Sequence, residues 1–270
     1  MSSVPNLYFD GQLIDVQWGN EKIVAEWFAK YFGWSIQRQE QWKVDPRCED
    51  GQMTQMEWGT WIISYIAMEQ LPHHYAARSG ADGNIRLCFR IKELQAKHHL
   101  FQQAGIQVTP IYNGAGPTTY FDFWVPGEGF RLTLQEDRSI ESMDSVLPSW
   151  IRIGVIDLDQ SVEWLTKHLG MKITADHADQ GYMLMSLKLN HLDGDSLWVI
   201  EQDAQASINK ADSQVQPICW IQERDEFFRY HQFLIDSGVE TSDIGGFVTR
   251  GMVSFHCYDP NGNRYNFSSM

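Results

Sequence analysis

Tyr31-Phe32-Gly33-Trp34, Gln103-Ala104-Gly105-Ile106, His168-Leu169-Gly170-Met171 and Asp236-Ser237-Gly238-Val239 share one pattern: a helical segment runs into a glycine and then an apolar residue. The glycines are 72, 65 and 68 residues apart (105 − 33, 170 − 105, 238 − 170). A glycine just past a helix end takes the left-handed conformation that lets the chain turn directly into a strand. Four such caps at near-even spacing mark one module repeated four times.

Working outward from each cap gives the content of the module. Asn20 reads as an N-cap, followed by Val24, Phe28 and Tyr31 on one helical face. A strand is expected before that helix over 13–18, and three after it, over 35–42, 52–57 and 61–68. The second unit repeats this with a strand over 84–91, a helix ending at Gly105, and strands over 106–110, 118–124 and 130–134. The third opens at 150–156 and the fourth at 216–221. The halves also match each other: Gly33 to Gly170 is an offset of 137, and Gly105 to Gly238 and Arg131 to Arg264 are offsets of 133. The fold class expected is therefore α+β, four βαβββ modules paired within each half. The expected domains are 1–137 and 149–270, joined by a polar linker at 138–148.

Composition narrows the function. A net charge of −14 disfavours nucleic acid, whose phosphates need clustered Lys and Arg. Cys48, Cys88, Cys219 and Cys257 are scattered without a CxxC pair, as suits free thiols in a reducing compartment. The longest apolar stretch, 61–68, is too short to span a bilayer, and no secretory signal is visible. A cytoplasmic protein is expected, without membrane or nucleic-acid partners.

Asp157-Leu158-Asp159-Gln160-Ser161-Val162-Glu163-Trp164, followed by Leu169-Gly170-Met171, resembles the opening of a vicinal oxygen chelate module. Asp259-Pro260-Asn261-Gly262-Asn263-Arg264 is similar to the DPxGN hairpin before that fold's last strand, and Pro126-Gly127-Glu128-Gly129 is a degenerate version of it. The superfamily includes glyoxalase I, extradiol dioxygenases, and fosfomycin and bleomycin resistance proteins. The resemblance implies paired modules that curl into half-barrels with a concave face. It also implies that any metal takes its ligands from the first and last strands of each module. The first-strand positions fall at Leu13, Arg86, Trp150 and Gln216. The last-strand positions fall at Ile62 or Ser64, Thr133, Trp198 and Asn266. Neither half assembles the usual His and Glu donors there, so no metal and no cofactor are expected.

The candidate site residues follow from that alignment. His256, on the strand before the hairpin, is the acid/base candidate, with a histidine satisfied inside the sheet as the plainer alternative. Trp150, Trp198 and Trp220 would give a stacking floor for an aromatic or apolar small molecule, or else simply fill a cup. Arg86 and Arg152 would pair with an anionic group, or face solvent. Gln216 and Asn266 are neutral polar contacts. His73 and His74, being adjacent on an extended segment, point opposite ways and read as a solvated loop. The function expected is metal-independent small-molecule binding of the glyoxalase/bleomycin-resistance type, with an aromatic-lined cup. The alternative is a lyase, isomerase or dioxygenase of the same superfamily with an atypical metal site or none.

Overall fold

Each helix of the computed structural model stops where the sequence places its glycine. Helices α1 (Glu21–Phe32), α2 (Leu94–Gln103), α3 (Leu158–Leu169) and α4 (Arg224–Asp236) are followed by Gly33, Gly105, Gly170 and Gly238 with φ of 72°, 71°, 63° and 74°. All four lie in the left-handed region that only glycine enters without strain. The structure describes residues 4–42, 51–65, 84–190, 193–204, 206, 214–247 and 251–270. His73, His74, Cys48 and the 70–83 segment lie outside the described residues.

Each helix is preceded by one strand and followed by three. Module 1 has β1 (Tyr8–Asp15), then β2 (Ile36–Trp42), β3 (Gly51–Met56) and β4 (Thr60–Tyr65). Module 2 has β5 (Ile85–Ile91), then β6 (Tyr112–Asn113), β7 (Thr119–Trp124) and β8 (Arg131–Glu136). Module 3 has β9 (Leu147–Val155), then β10 (Lys172–His177), β11 (Tyr182–Leu189) and β12 (Asp195–Gln202). Module 4 has β13 (Val215–Trp220), then β14 (Gly245–Phe247), β15 (Met252–Tyr258) and β16 (Arg264–Ser269). The strand expected over 106–110 reduces to a single bridge, Val108 to Phe123, with β6 following it.

The modules do not close their sheets within each half of the chain, and this corrects the pairing expected from the repeat. Strand β1 pairs antiparallel with β13, and β5 pairs antiparallel with β9. Within each module the first and last strands run parallel, β1 with β4, β5 with β8, β9 with β12 and β13 with β16. One half-barrel therefore joins modules 1 and 4, and the other joins modules 2 and 3. Leu147 and Pro148, expected in the linker, already belong to β9 and face Arg90 and Phe89 of β5. The connection from β8 to β9 is short, and Trp34 Nε1 donates to Val146 O to hold it down. That brings β9 back beside β5 and leaves β13 to seek β1.

What does unite each half is its helical layer. Trp27 of α1 packs against Phe101 of α2, with centroids 5.9 Å apart, and stacks on Phe123 at 5.7 Å. Across the other pair, Tyr230 of α4 donates to His168 O of α3 at 2.7 Å. The hairpins act as matching clasps. Asn261 Oδ1 accepts from Ile156 N, and its Nδ2 donates to Ser161 Oγ at the start of α3. Glu128, 133 residues earlier, does the same for α1 by accepting from Gln17 N and Asn20 Nδ2. Asp259 organises the DPxGN turn by accepting from Asn261 N at 2.8 Å, Asn263 N at 2.9 Å and Asn263 Nδ2 at 2.8 Å.

Two expectations follow. Asp259→Ala strands two buried backbone N–H groups and should cost about 2–4 kcal/mol in urea unfolding; a loss below about 1 kcal/mol would mean the turn is held otherwise. Residues 147–270 expressed alone expose the β9 and β13 edges that β5 and β1 normally cover. That fragment should self-associate on size exclusion, and a well-folded monomer would contradict the crossed pairing.

Candidate functional site

Side chains alternate across each strand, so helix contacts identify the inner face. On β9, Ile151, Ile153 and Val155 join the helix-covered core, which turns Trp150, Arg152 and Gly154 to the concave side. On β12, Trp198 and Ile200 join the core, leaving Leu197, Val199 and Glu201 inside the cup. Trp198 is thus on the opposite face from the one expected; its indole lies edge-on to Phe9 at 5.5 Å and donates to Ser196 Oγ. Ile62 also sits in the core, and Ser64 donates to Glu21 of α1. Ile62 and Ser64 miss the equivalent concave position, Ile63, by one residue, and Trp198 misses its own, Glu201, by three (201 − 198); an odd offset reverses the face. The ladders correct a first-strand assignment as well: Arg86 faces Arg152, as Leu13 faces Gln216, so Arg152 and not Trp150 is the equivalent of Leu13.

The concave face of modules 2 and 3 is filled by ions. Arg152 grips Glu201 with two hydrogen bonds, Nε to Oε1 at 3.0 Å and Nη2 to Oε2 at 2.6 Å. Arg86 also bonds Glu201 and reaches Asp122 with Nη1 at 3.1 Å. Asp122 accepts further from Thr133 Oγ1 at 2.6 Å and Tyr112 OH at 2.8 Å, with Arg131 at 3.6 Å. Burial alone would raise the Asp122 carboxyl, but Arg86, Thr133 and Arg131 outweigh it and hold it below the usual range. Burial likewise opposes the Arg152 charge, and Glu201 overcomes it and raises its pKa. The Cys88 thiol beside them is pushed up to about 12 by burial. Over the top, Tyr112 and Tyr120 lie on the Arg152 guanidinium at 5.8 and 4.6 Å, and Tyr182 OH accepts from Gly116 N.

Such a donor set does not fit a divalent cation. The two first-strand positions carry arginines, and the carboxylates between them are already engaged by those arginines. Among the described residues, no three His, Cys, Asp or Glu side chains group as a metal would require.

The cup of modules 1 and 4 is divided differently. Module 4 supplies polar groups: Arg264 Nε donates to Asn266 Oδ1 at 3.0 Å, and Asn266 Nδ2 donates to Gln216 Oε1 at 3.1 Å. His256 is the cross-strand neighbour of Asn266, 1% exposed, and edge-on to Tyr258 at 5.4 Å. Module 1 supplies Leu13, Trp61 and Ile63 from β1 and β4. Trp220 lies on this concave side as well, since Cys219 and Ile221 take the core side. The structure thus brings His256, Gln216, Asn266 and Trp220 to one cup and Arg86 and Arg152 to the other. It separates Trp150, Trp198 and Trp220 onto different surfaces.

Open space lies between the half-barrels, in a recess of about 680 Å³. Strand β1 reaches β11 in parallel through Tyr8 and Phe9, opposite Lys188 and Leu189. By the repeat, the counterpart of that seam would be β9 with β3, and among the described pairings those two strands do not meet. There the recess opens, with Trp58, Trp61, Trp150 and Phe9 on its walls. Trp58 is 52% exposed and has φ 61° and ψ 31°, a left-handed conformation that costs a bulky side chain on the order of 1–3 kcal/mol. Gly11, φ 119°, makes room for that turn; a Cβ there would sit 2.3 Å from Gly59 O. Sequence reasoning passed over Trp58 and Trp61, and the one available signal was their Trp-Gly-Thr-Trp setting in a tight hairpin.

Comparison with known proteins agrees with this architecture. Residues 147–267 match the Glyoxalase/Bleomycin resistance protein/Dioxygenase superfamily. No curated protein matches the chain in sequence. A Bacillus subtilis protein described as a candidate dioxygenase is similar over 99% of this chain and 86% of its own, with a TM-score of 0.61 and 9% identity. A glyoxalase I variant from Zea mays is similar over 98% of this chain and 92% of its own, with a TM-score of 0.65 and 13% identity. At such identities the likeness is one of fold alone. The 147–267 region belongs to the glyoxalase/bleomycin resistance/dioxygenase superfamily, and the whole chain has the four-module fold of that superfamily.

Proposed function

We propose that this protein binds a small molecule without a catalytic metal, and that the ligand sits in the aromatic recess between the half-barrels. The observation that carries the reading is the Arg86–Glu201–Arg152 network. Two guanidinium groups stand at first-strand positions where the fold would otherwise present metal ligands, and their charge is already met by Glu201 and Asp122. Freeing those carboxylates for a metal would leave two buried cations unmatched. The recess, by contrast, combines volume with several indole surfaces, the usual character of a site for an aromatic or apolar ligand. The buried free thiols Cys88, Cys219 and Cys257 support a cytoplasmic setting.

The second reading, an enzyme, rests on the buried grouping of His256, Asn266, Gln216 and Arg264. A histidine beside the Asn266 amide, which is itself bonded to Gln216, would serve proton transfer to a substrate entering the cup of modules 1 and 4. Turnover abolished by His256→Gln, with ligand affinity unchanged, would favour it.

Two measurements test the first reading. Protein purified without chelator and dialysed should hold well under one equivalent of Zn, Ni, Mn or Fe by elemental analysis. A near-equimolar metal whose removal abolishes binding would overturn it. Glu201→Gln should destabilise the fold by about 3–5 kcal/mol in urea, because two buried arginines lose their shared carboxylate; a loss under about 1 kcal/mol would show that the network is not the structural filling described. Acid should act in the same sense. Asp122 is held below its unfolded pKa, so its contribution is present above pH ~4 and is lost as pH falls through its folded value.

A further inference from the structure

The walls of the recess narrow the ligand class. We infer that the recess between the half-barrels takes an organic cation carrying an aromatic or apolar body; this rests on the small-molecule reading above and adds the charge. Asp10 and Asp195 line it, and the remaining polar groups are amides and hydroxyls, including Gln12, Gln55 and Ser149. Among the described residues its lining has one cation, Arg90, and that guanidinium is already committed: Nε donates to Pro148 O at 3.2 Å and Nη1 to Asp137 Oδ2 at 3.0 Å. Lys188, the cross-strand neighbour of Asp195, is not part of the lining.

An anionic ligand would therefore meet two carboxylates and a guanidinium already satisfied, whereas a cation meets carboxylates and aromatic faces together. Indole faces attract a cation through their quadrupole more strongly than other aromatic rings do, and Trp58, Trp61 and Trp150 present three of them. Asp10 is fixed in place by Asn190 Nδ2 at 2.6 Å, so its charge is already oriented before any ligand arrives. The chain's net charge of −14 adds a long-range field of the same sign. The strained Trp58 turn adds a second, independent pointer. A bulky residue held at positive φ, with Gly11 leaving room for the adjoining Gly59 carbonyl, keeps an exposed indole at the recess.

The probe is benzyltrimethylammonium, titrated against the full chain and followed by tryptophan fluorescence and calorimetry, with benzyl alcohol and benzoate as neutral and anionic comparisons. The cation should bind about tenfold more tightly than benzyl alcohol, and benzoate more weakly than either. Raising salt from about 50 to 500 mM should weaken only the cation. Asp195→Asn, at an exposed position, should weaken the cation severalfold and leave benzyl alcohol unchanged. In indole ¹H–¹⁵N spectra, Trp58, Trp61 and Trp150 should shift while the core Trp198 does not.

The failures separate cleanly. Equal binding of benzyl alcohol, or tighter binding of benzoate, with the recess indoles shifting, overturns the cation assignment and leaves the small-molecule site standing. Saturable binding that shifts Trp220 but not Trp58 or Trp150 moves the ligand to the cup of modules 1 and 4 and overturns the recess. Absence of saturable binding by all three probes overturns the inference as well.

Discussion

The antiparallel contact of first strands across the two halves of the chain is the constraint on which the rest depends. β1 lies against β13 and β5 against β9, so neither half completes a sheet by itself. Helices and hairpin clasps hold modules together within a half, while strands hold them together between halves. Both connections feed one apolar core that runs from Phe28 and Phe123 to Phe227 and Phe267. Losing either half would leave long strand edges and aromatic surface without cover.

That crossing also decides what faces each cup. Arg86 and Arg152 are direct neighbours on β5 and β9, and like charges so placed repel. Glu201 from β12, which flanks β9, and Asp122 from β7, one strand beyond β8, make the arrangement stable. The equivalent places in the other cup hold Gln216 for Arg86, Leu13 for Arg152, Asn266 for Thr133 and His256 for Asp122. One recurring framework thus carries an ionic filling on one side and a mixed amide, imidazole and apolar lining on the other. Burying an ion cluster rarely adds net stability over an apolar filling. The price of such a cluster is balance, since removing one member leaves its partners charged and desolvated.

Local backbone signals were legible in the sequence, and pairing was not. The four capping glycines and the DPxGN turn depend on a few consecutive residues, so Gly33, Gly105, Gly170 and Gly238 could be read directly and Asp259 through the family resemblance. Which first strand meets which cannot be read in that way, because β1, β5, β9 and β13 are all short apolar runs of similar character. Register on the strands was legible where a ladder is regular, as for Gln216 and Asn266. It failed at Trp198 and at Ile62, where one residue decides the face. A separate offset of two, which keeps the face, placed Trp150 in the position that Arg152 holds; a register shift between Leu87 and Phe89 on the partner strand has no sequence signature. Asp122 and Glu201 were missed although a clue was present. Two arginines of the same parity inside buried strands require carboxylates on the same face of nearby ones.

The recess itself follows from imperfect symmetry. Two half-barrels related by a repeat should meet at two equivalent seams, β1 with β11 and β9 with β3. The first is hydrogen-bonded through Tyr8 and Phe9; at the second, the recess opens, lined by the Trp58 turn, Trp61 and Trp150. A strand edge left unzipped beside large aromatic rings is a surface that water covers poorly and a flat apolar molecule covers well. A single chain permits this, because modules 1 and 3 carry different residues and only one seam has to hold the half-barrels together. In an assembly of two identical halves, any residue that opened one seam would open both. The difference in sequence between the modules is therefore what lets one seam close as the joint while the other stays open.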